Sequence, residues 1–301
     1  MTNGALDTAG SSNTPTNRHQ EKARVGLLGV GLMGSAMAHR LLEQEIEVIA
    51  WDLDSEQVRA LAGRGAEAAD GPGEVVRGAD VVITMLPTAA IVLDVVEPLL
   101  EDWPNTTTWL QMSSVGAAEA DQLTGVAQAH AVQIVDAPVS GSTQPAEHGQ
   151  LTILASGPDS ARTAVEPIFD ALASRVLWVG DAGMGSRLKM AANHWMITMV
   201  AALAESMQLC EAMGLDQRHF VALLDGGPLG SPYAMQKLGE MQRHDYPAGF
   251  PVRLALKDLE LVREVEQSAQ IAMPLLDVVR ERFTTANREF ADQDLAAIYE
   301  A

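Results

Sequence analysis

The stretch Gly29-Val30-Gly31-Leu32-Met33-Gly34 decides how this chain reads. It closes a β-rich apolar run, residues 25–30, and opens an amphipathic one, residues 32–43, so its glycines stand at a strand-to-helix turn. Each glycine then serves a different end, with a tight turn at Gly29, close approach of a pyrophosphate to backbone at Gly31, and helix-to-strand packing at Gly34. A helix starting there aims its unpaired N–H groups and positive dipole end at the phosphates. Glycine turns also recur for packing alone, so the acid that follows carries weight. The second strand, residues 47–51, runs into Asp52, eighteen residues past Gly34 and close to the offset at which a carboxylate reaches the ribose hydroxyls of a dinucleotide. The cofactor-binding candidates of this segment are Gly29, Val30, Gly31, Leu32, Met33, Gly34 and Asp52. Helix capping is the other role open to Asp52 and the one expected of Asp54. A carboxylate at Asp52 repels a 2′-phosphate, and Leu53 stands where an Arg would read one, so NAD is expected over NADP.

Working outward, strand patterns recur at residues 80–86, 108–112, 132–136 and 151–156. Helical spacing fills residues 56–63, 89–100, 117–129 and 159–173. Alternation of this kind predicts a doubly wound α/β Rossmann domain with a mainly parallel sheet over residues 24–182. Leu86 and Pro87 end one strand. Ser113 and Ser114 end another, either at the edge where open α/β sheets place ligands or as an ordinary strand-ending turn, and Leu86, Pro87 and Ser114 join the cofactor-binding candidates. Past residues 176–180 the texture changes. From Gly185 to Met213 no further glycine or proline interrupts the chain, which predicts a helix of about 29 residues and about 43 Å. Apolar residues lie nearly all round it, so it must be buried on most faces. Residues 183–301 are accordingly expected to be an all-α domain, and a homodimer or larger homo-oligomer is expected to cover the long helix. Residues 1–23, rich in Thr, Asn, Ser and Gly, are expected to form a disordered tail.

Composition bounds the partners. Twenty Lys and Arg face forty Asp and Glu among 301 residues, a formal net charge of −20, which argues against nucleic acid and anionic membrane surfaces. The longest apolar run, residues 195–204, is far short of the ~20 residues that span a bilayer. A single cysteine, Cys210, permits no intramolecular disulfide and fits a reducing, cytoplasmic setting. A small-molecule substrate is the partner expected.

Three further segments carry chemistry. Ser140, Gly141 and Ser142 follow the strand that ends at Asp136; hydroxyls and successive N–H groups at such a turn make an anion cradle suited to a carboxylate, or else an ordinary strand-ending turn. Lys189 and Asn193 lie four apart on one face of the long helix. There Lys189 either reaches back to water or serves as a proton donor to a carbonyl, which desolvation would favour by lowering its pKa toward ~7–8. Lys257 and Asp258 form either a substrate-binding pair or a solvated ion pair. The seven histidines show no metal-ligand spacing, and no metal is expected.

Taken together, the segments 29–38, 136–141, 183–193 and 257–259 resemble the β-hydroxyacid dehydrogenase family, of which 3-hydroxyisobutyrate dehydrogenase is the best-known member. The resemblance implies NAD(P)-dependent interconversion of a 3-hydroxy acid and its semialdehyde. It implies Lys189 as general acid/base with Asn193 as its partner, Ser140, Gly141 and Ser142 as substrate binders, Lys257 as a substrate or cofactor contact, and Ser114 near the nicotinamide. Four positions depart from the family pattern: Ala192 replaces an Asn, Ser142 and Pro145 replace glycines, and Gln111 stands where Asp is frequent. The neighbouring chemistries are those of 6-phosphogluconate dehydrogenases and imine reductases, and the non-enzymatic rival is a dinucleotide-binding scaffold without turnover.

Overall fold

The computed structural model describes residues 23–301. The tail expectation for residues 1–23 therefore lies, all but Ala23, outside the described residues. In chain order the first half runs β1 (Val25–Leu28), α1 (Leu32–Glu43), β2 (Val48–Trp51), α2 (Ser55–Ala62), β3 (Glu67–Ala68), α3 (Pro72–Arg77), β4 (Val81–Thr84), α4 (Ala89–Val96), β5 (Thr108–Gln111), α5 (Ala117–Ala129) and β6 (Ile134–Asp136). These strands form one parallel sheet in the order β3-β2-β1-β4-β5-β6, with Val25 of β1 opposite Val48 on one side and Val81 on the other. This is the dinucleotide-binding strand order, and its direction reverses between β1 and β4. Helices cover both faces, so β1, β4 and β5 are buried throughout and read as continuous apolar runs rather than alternating ones.

The chain then leaves this sheet. β7 (Val139–Ser140), α6 (Thr143–Glu147), β8 (Leu151–Ala155), α7 (Arg162–Leu172) and β9 (Ala173–Trp178) build a second, three-stranded sheet, antiparallel between β7 and β8 and parallel between β8 and β9. Strand 151–156 was expected to extend the main sheet and instead centres this small one. The sixth strand of the main sheet is β3, whose two residues are too few to show a pattern. The expected helix 89–100 ends at Val96, where Pro98 turns the chain into a 3-10 segment, Glu97–Asp102.

The second half is helical: α8 (Met184–Ala212), α9 (Gln217–Leu224), α10 (Pro232–Arg243), α11 (Val252–Ala269) and α12 (Pro274–Phe290). α8 has the predicted length, 29 residues. Its residues Ile197, Val200, Ala204 and Met207 enter a core shared with Leu238, Leu259, Phe283 and Ile298. Each of the larger side chains buried there contributes about 1.5–3 kcal/mol of transfer free energy, which fixes the orientation of α8 about its axis. Leu188, Trp195 and Leu209, seven or fourteen apart, remain on an exposed stripe, Trp195 at 69 % exposure. No described helix is long and apolar enough to cross a membrane.

Candidate active site

The glycine turn sits at the C-terminal edge of β1, where the sheet changes direction. Gly29 has φ +106°, and a Cβ there would lie 2.4 Å from the Met85 carbonyl oxygen; one on Gly34 would lie 2.0 Å from the Gly29 carbonyl oxygen. Neither position tolerates a side chain. A Cβ on Gly31, by contrast, would meet nothing within 4 Å, so this glycine keeps space open above the turn rather than satisfying contacts within the fold. α1 begins at once, with no side-chain cap and no acidic residue in its first turn, leaving its positive end free for an anion. These features fit the pyrophosphate of a dinucleotide.

Asp52 lies at the end of β2. Its Oδ2 accepts the Val30 N–H at 2.6 Å and its Oδ1 the Asp54 N–H at 2.9 Å, so the carboxylate is held beside the turn. Capping of α2 falls to Asp54, whose side chain accepts the Glu56 N–H at 2.9 Å. Leu53 projects outward, 85 % exposed. At the next strand end, Leu86 is half-buried and its N–H donates to Ser113 Oγ at 2.8 Å, while Pro87 is exposed. Ser113, the residue before Ser114, thus ties the ends of β4 and β5 together. Gln111 supports it: Oε1 accepts the Ser113 N–H at 2.8 Å and Nε2 donates to the Ser113 carbonyl at 2.9 Å. The departure from Asp at this position builds a buried amide bracket, using the donor that a carboxylate lacks.

Across this edge lie α8 and α11. The start of α8 is fastened to β6 by Asp136, which is buried: Oδ2 accepts the Ser186 N–H at 2.8 Å and Oδ1 accepts from the Ser186 hydroxyl at 2.7 Å. Burial pushes the Asp136 carboxyl up, and the two bonds from Ser186 pull it back down. Gly185 permits this approach, since a Cβ there would fall 2.1 Å from the Leu154 carbonyl oxygen. One turn further along, Lys189 is half-buried. Burial drives its pKa below the ordinary lysine value, Asp258 pulls it back up, and Lys257 pushes it down again.

Asp258 is the link that spacing did not reveal. It is buried, its Oδ2 accepts from the Asn193 amide, and its Oδ1 lies 3.3 Å from Lys257 Nζ. The solvated ion pair considered for Lys257 and Asp258 is thus corrected: only Lys257 retains part of its exposure. Lys257 in turn donates to the Ser114 carbonyl at 2.8 Å, reaching from α11 to the loop after β5. Lys189, Asn193, Lys257, Asp258 and Ser114 are thereby brought to one place from three elements that are distant in sequence. Ser140, Gly141 and Ser142 form a separate corner after β6. Ser140 is exposed, and the Ser142 side chain makes no capping bond to α6. Among the described residues no cluster of His, Cys, Asp and Glu is placed to hold a metal ion.

A dinucleotide edge facing a partly desolvated lysine defines an NAD(P)-dependent oxidoreductase. Residues 24–180 match the model of the NAD-binding domain of 6-phosphogluconate dehydrogenase, and residues 183–301 that of the NAD-binding region of NADP-dependent 3-hydroxyisobutyrate dehydrogenase. The chain belongs to the β-hydroxyacid dehydrogenase family. It is 31 % identical over 281 residues to glyoxylate/succinic semialdehyde reductase 1 of Arabidopsis thaliana, covering 92 % of this chain and 97 % of that one. It is 30 % identical to 3-sulfolactaldehyde reductase of Escherichia coli, covering 92 % and 95 %. In fold it is similar to 3-hydroxyisobutyrate dehydrogenase of Mycobacterium tuberculosis, with a TM-score of 0.86, 24 % identity, and 93 % and 98 % of the two chains covered.

Proposed function

We propose that this protein reduces a small semialdehyde to its 3-hydroxy acid, and runs the reverse oxidation, with Lys189 as the general acid/base. The observation that carries this reading is the environment of Lys189. It is half-buried on α8, its pKa is driven down by burial, and Asp258 and Lys257 lie within electrostatic reach. When bound, the nicotinamide supplies or accepts a hydride at the substrate's carbonyl carbon. The Lys189 ammonium polarises the carbonyl oxygen and donates a proton to it as the C–H bond forms; its neutral amine is then reprotonated from solvent. In the oxidative direction the neutral amine takes the hydroxyl proton. Asn193, oriented by Asp258, holds the reacting oxygen beside Lys189. Ser140, Gly141 and Ser142 receive the carboxylate, and Lys257, fixed on the Ser114 carbonyl, adds a positive charge near substrate and coenzyme. Purified protein mixed with NADH and the semialdehydes of methylmalonate, tartronate and succinate should consume NADH with one or more of them. Tight NADH binding without turnover on any of them would favour a scaffold.

In this reading residues 24–182 bind the dinucleotide through Gly29, Val30, Gly31, Leu32, Met33, Gly34, Asp52, Leu86, Pro87 and Ser114, and residues 183–301 complete the substrate site. NAD is the coenzyme: Asp52 beside the turn repels a 2′-phosphate and the exposed Leu53 offers no cation to one. Asp52→Ser/Leu53→Arg shifts preference toward NADPH, and unchanged coenzyme selectivity would remove this role from Asp52. The protein works in the cytoplasm as a homo-oligomer, the single buried Cys210 supporting the first and the exposed stripe on α8 the second. Cell fractionation checks the compartment.

A further inference from the structure

Away from the coenzyme edge, the helical half buries a cluster of ionisable side chains. Lys237 on α10 is 2 % exposed; its ammonium donates to Glu240 Oε2 at 2.9 Å and Asp294 Oδ1 at 2.7 Å, and lies 5.2 Å from the centre of the Tyr233 ring. Glu240 and Asp294 are buried as well. Taking a lysine and two carboxylates out of water is costly before their pairing offsets it, and apolar side chains of similar volume commonly hold a core as well or better. Packing alone is therefore a weak account of this cluster.

Its contacts lead to the chain just ahead of α11. The second oxygen of Asp294 accepts the Phe250 N–H at 3.0 Å. Around that bond, the Asp294 N–H donates to the Tyr246 carbonyl at 3.2 Å, the Leu295 N–H to the Phe250 carbonyl at 2.9 Å, and the Val252 N–H to the Gln293 carbonyl at 2.9 Å. Residues 246–252 are thus sewn to the C-terminal segment, with the buried carboxylate at the middle of the seam. Gly249 lies between that carboxylate and the substrate loop: a Cβ there would stand 3.2 Å from Asp294 Oδ2 and 3.9 Å from Ser142 Cβ.

We propose that the buried Lys237–Asp294 pair is a positioning element for substrate binding, which holds Gly249 and Phe250 against Ser142 and so forms the wall beside the acid end of the substrate. The proposal rests on the semialdehyde reading of the site and adds a determinant of affinity to it. Lys237 acts through Asp294, and Asp294 through the Phe250 N–H; neither touches the reacting atoms. Lys189 is held from elsewhere, by the Asp136–Ser186 fastening of α8. Loosening the wall therefore weakens binding of the carboxylate and leaves proton transfer in place.

The test uses the full chain and three variants, Lys237→Met, Asp294→Asn and Gly249→Ala, assayed well below each one's Tm with NADH and whichever semialdehyde the wild type turns over. Folded variants of the pair should raise KM about tenfold, with kcat within about twofold and NADH affinity unchanged, the signature of lost binding uniform to ground and transition states. Gly249→Ala leaves the pair intact, pushes the turn off its seat by a few tenths of an ångström, and should raise KM in the same sense. It carries the test if the pair variants do not fold. Wild-type KM in Gly249→Ala, or in a folded pair variant whose Tm alone has dropped, overturns the proposal and leaves the cluster a stability device. Calorimetric affinity of the NADH complex for succinate reads the wall without turnover. A wild type that reduces no semialdehyde, yet loses succinate affinity in these variants, fails the semialdehyde reading and keeps the anchor.

Discussion

Lys189, the proposed general acid/base, has neighbours that pull its proton affinity in opposite directions. Lys189→Ala should lower turnover by about 100-fold or more, the usual worth of a positioned general acid, while NADH affinity stays within a few-fold. Stopped-flow turnover and fluorescence titration of NADH check both, and comparable activity in the variant would remove the proposed proton donor. The sign of the pH dependence follows from the same surroundings. In the proposed mechanism reduction uses the ammonium, so its rate should fall as pH rises through the folded-state pKa of Lys189, which lies below the ordinary 10.5. Asp258→Asn removes the group that raises this pKa and should move the inflexion to lower pH; Lys257→Met removes the group that lowers it and should move the inflexion to higher pH. A pH–rate profile in which both variants shift alike would show that a different group titrates.

At the level of elements, the glycine turn separates folding from binding within one motif. Gly34→Ala drives a methyl into the Gly29 carbonyl and should cost more than about 1 kcal/mol of stability, as overpacking does. Gly31→Ala meets only open space, so its Tm should hold or rise slightly while NADH affinity falls about tenfold or more. Thermal melts beside NADH titrations separate the two, and equal melting losses would sink the division. The same motif made the fold legible: α1 and α5 begin and end where their periodicity predicted, and β1, β2, β4 and β5 fall within their apolar runs. What stayed hidden was short or remote. β3 has two residues, α3 six and α6 five, too few to display a period, and β9 is an edge strand with Ser174 and Arg175 exposed within it. Strand residues 151–156 were recognised but misplaced, because pairing partners across a turn such as Ser140 are not written in local pattern. In the candidate site, Lys189 and Asn193 were visible at helical spacing. Asp258 lies 65 residues from Asn193, and Asp136 lies 50 from Ser186, so burial alone reveals what they bind.

For the whole molecule, the stripe of Leu188, Trp195 and Leu209 on α8 is an apolar surface costly to leave in water. Sedimentation velocity should show a dimer or larger species, and Trp195→Glu should dissociate it; a clean wild-type monomer would end the homo-oligomer proposal. Both halves meet at the first turn of α8, where Asp136 takes hold of Ser186 and Gly185 rests against the backbone of β8. These contacts tie the coenzyme-side sheet directly to the helix that carries Lys189. With Lys189 as the proposed proton donor, its distance from the coenzyme edge should be set by these contacts and not by the molecule bound between them. Changes around Ser142, Gly249 and Phe250 should therefore exchange one acid for another while leaving the proposed transfer untouched.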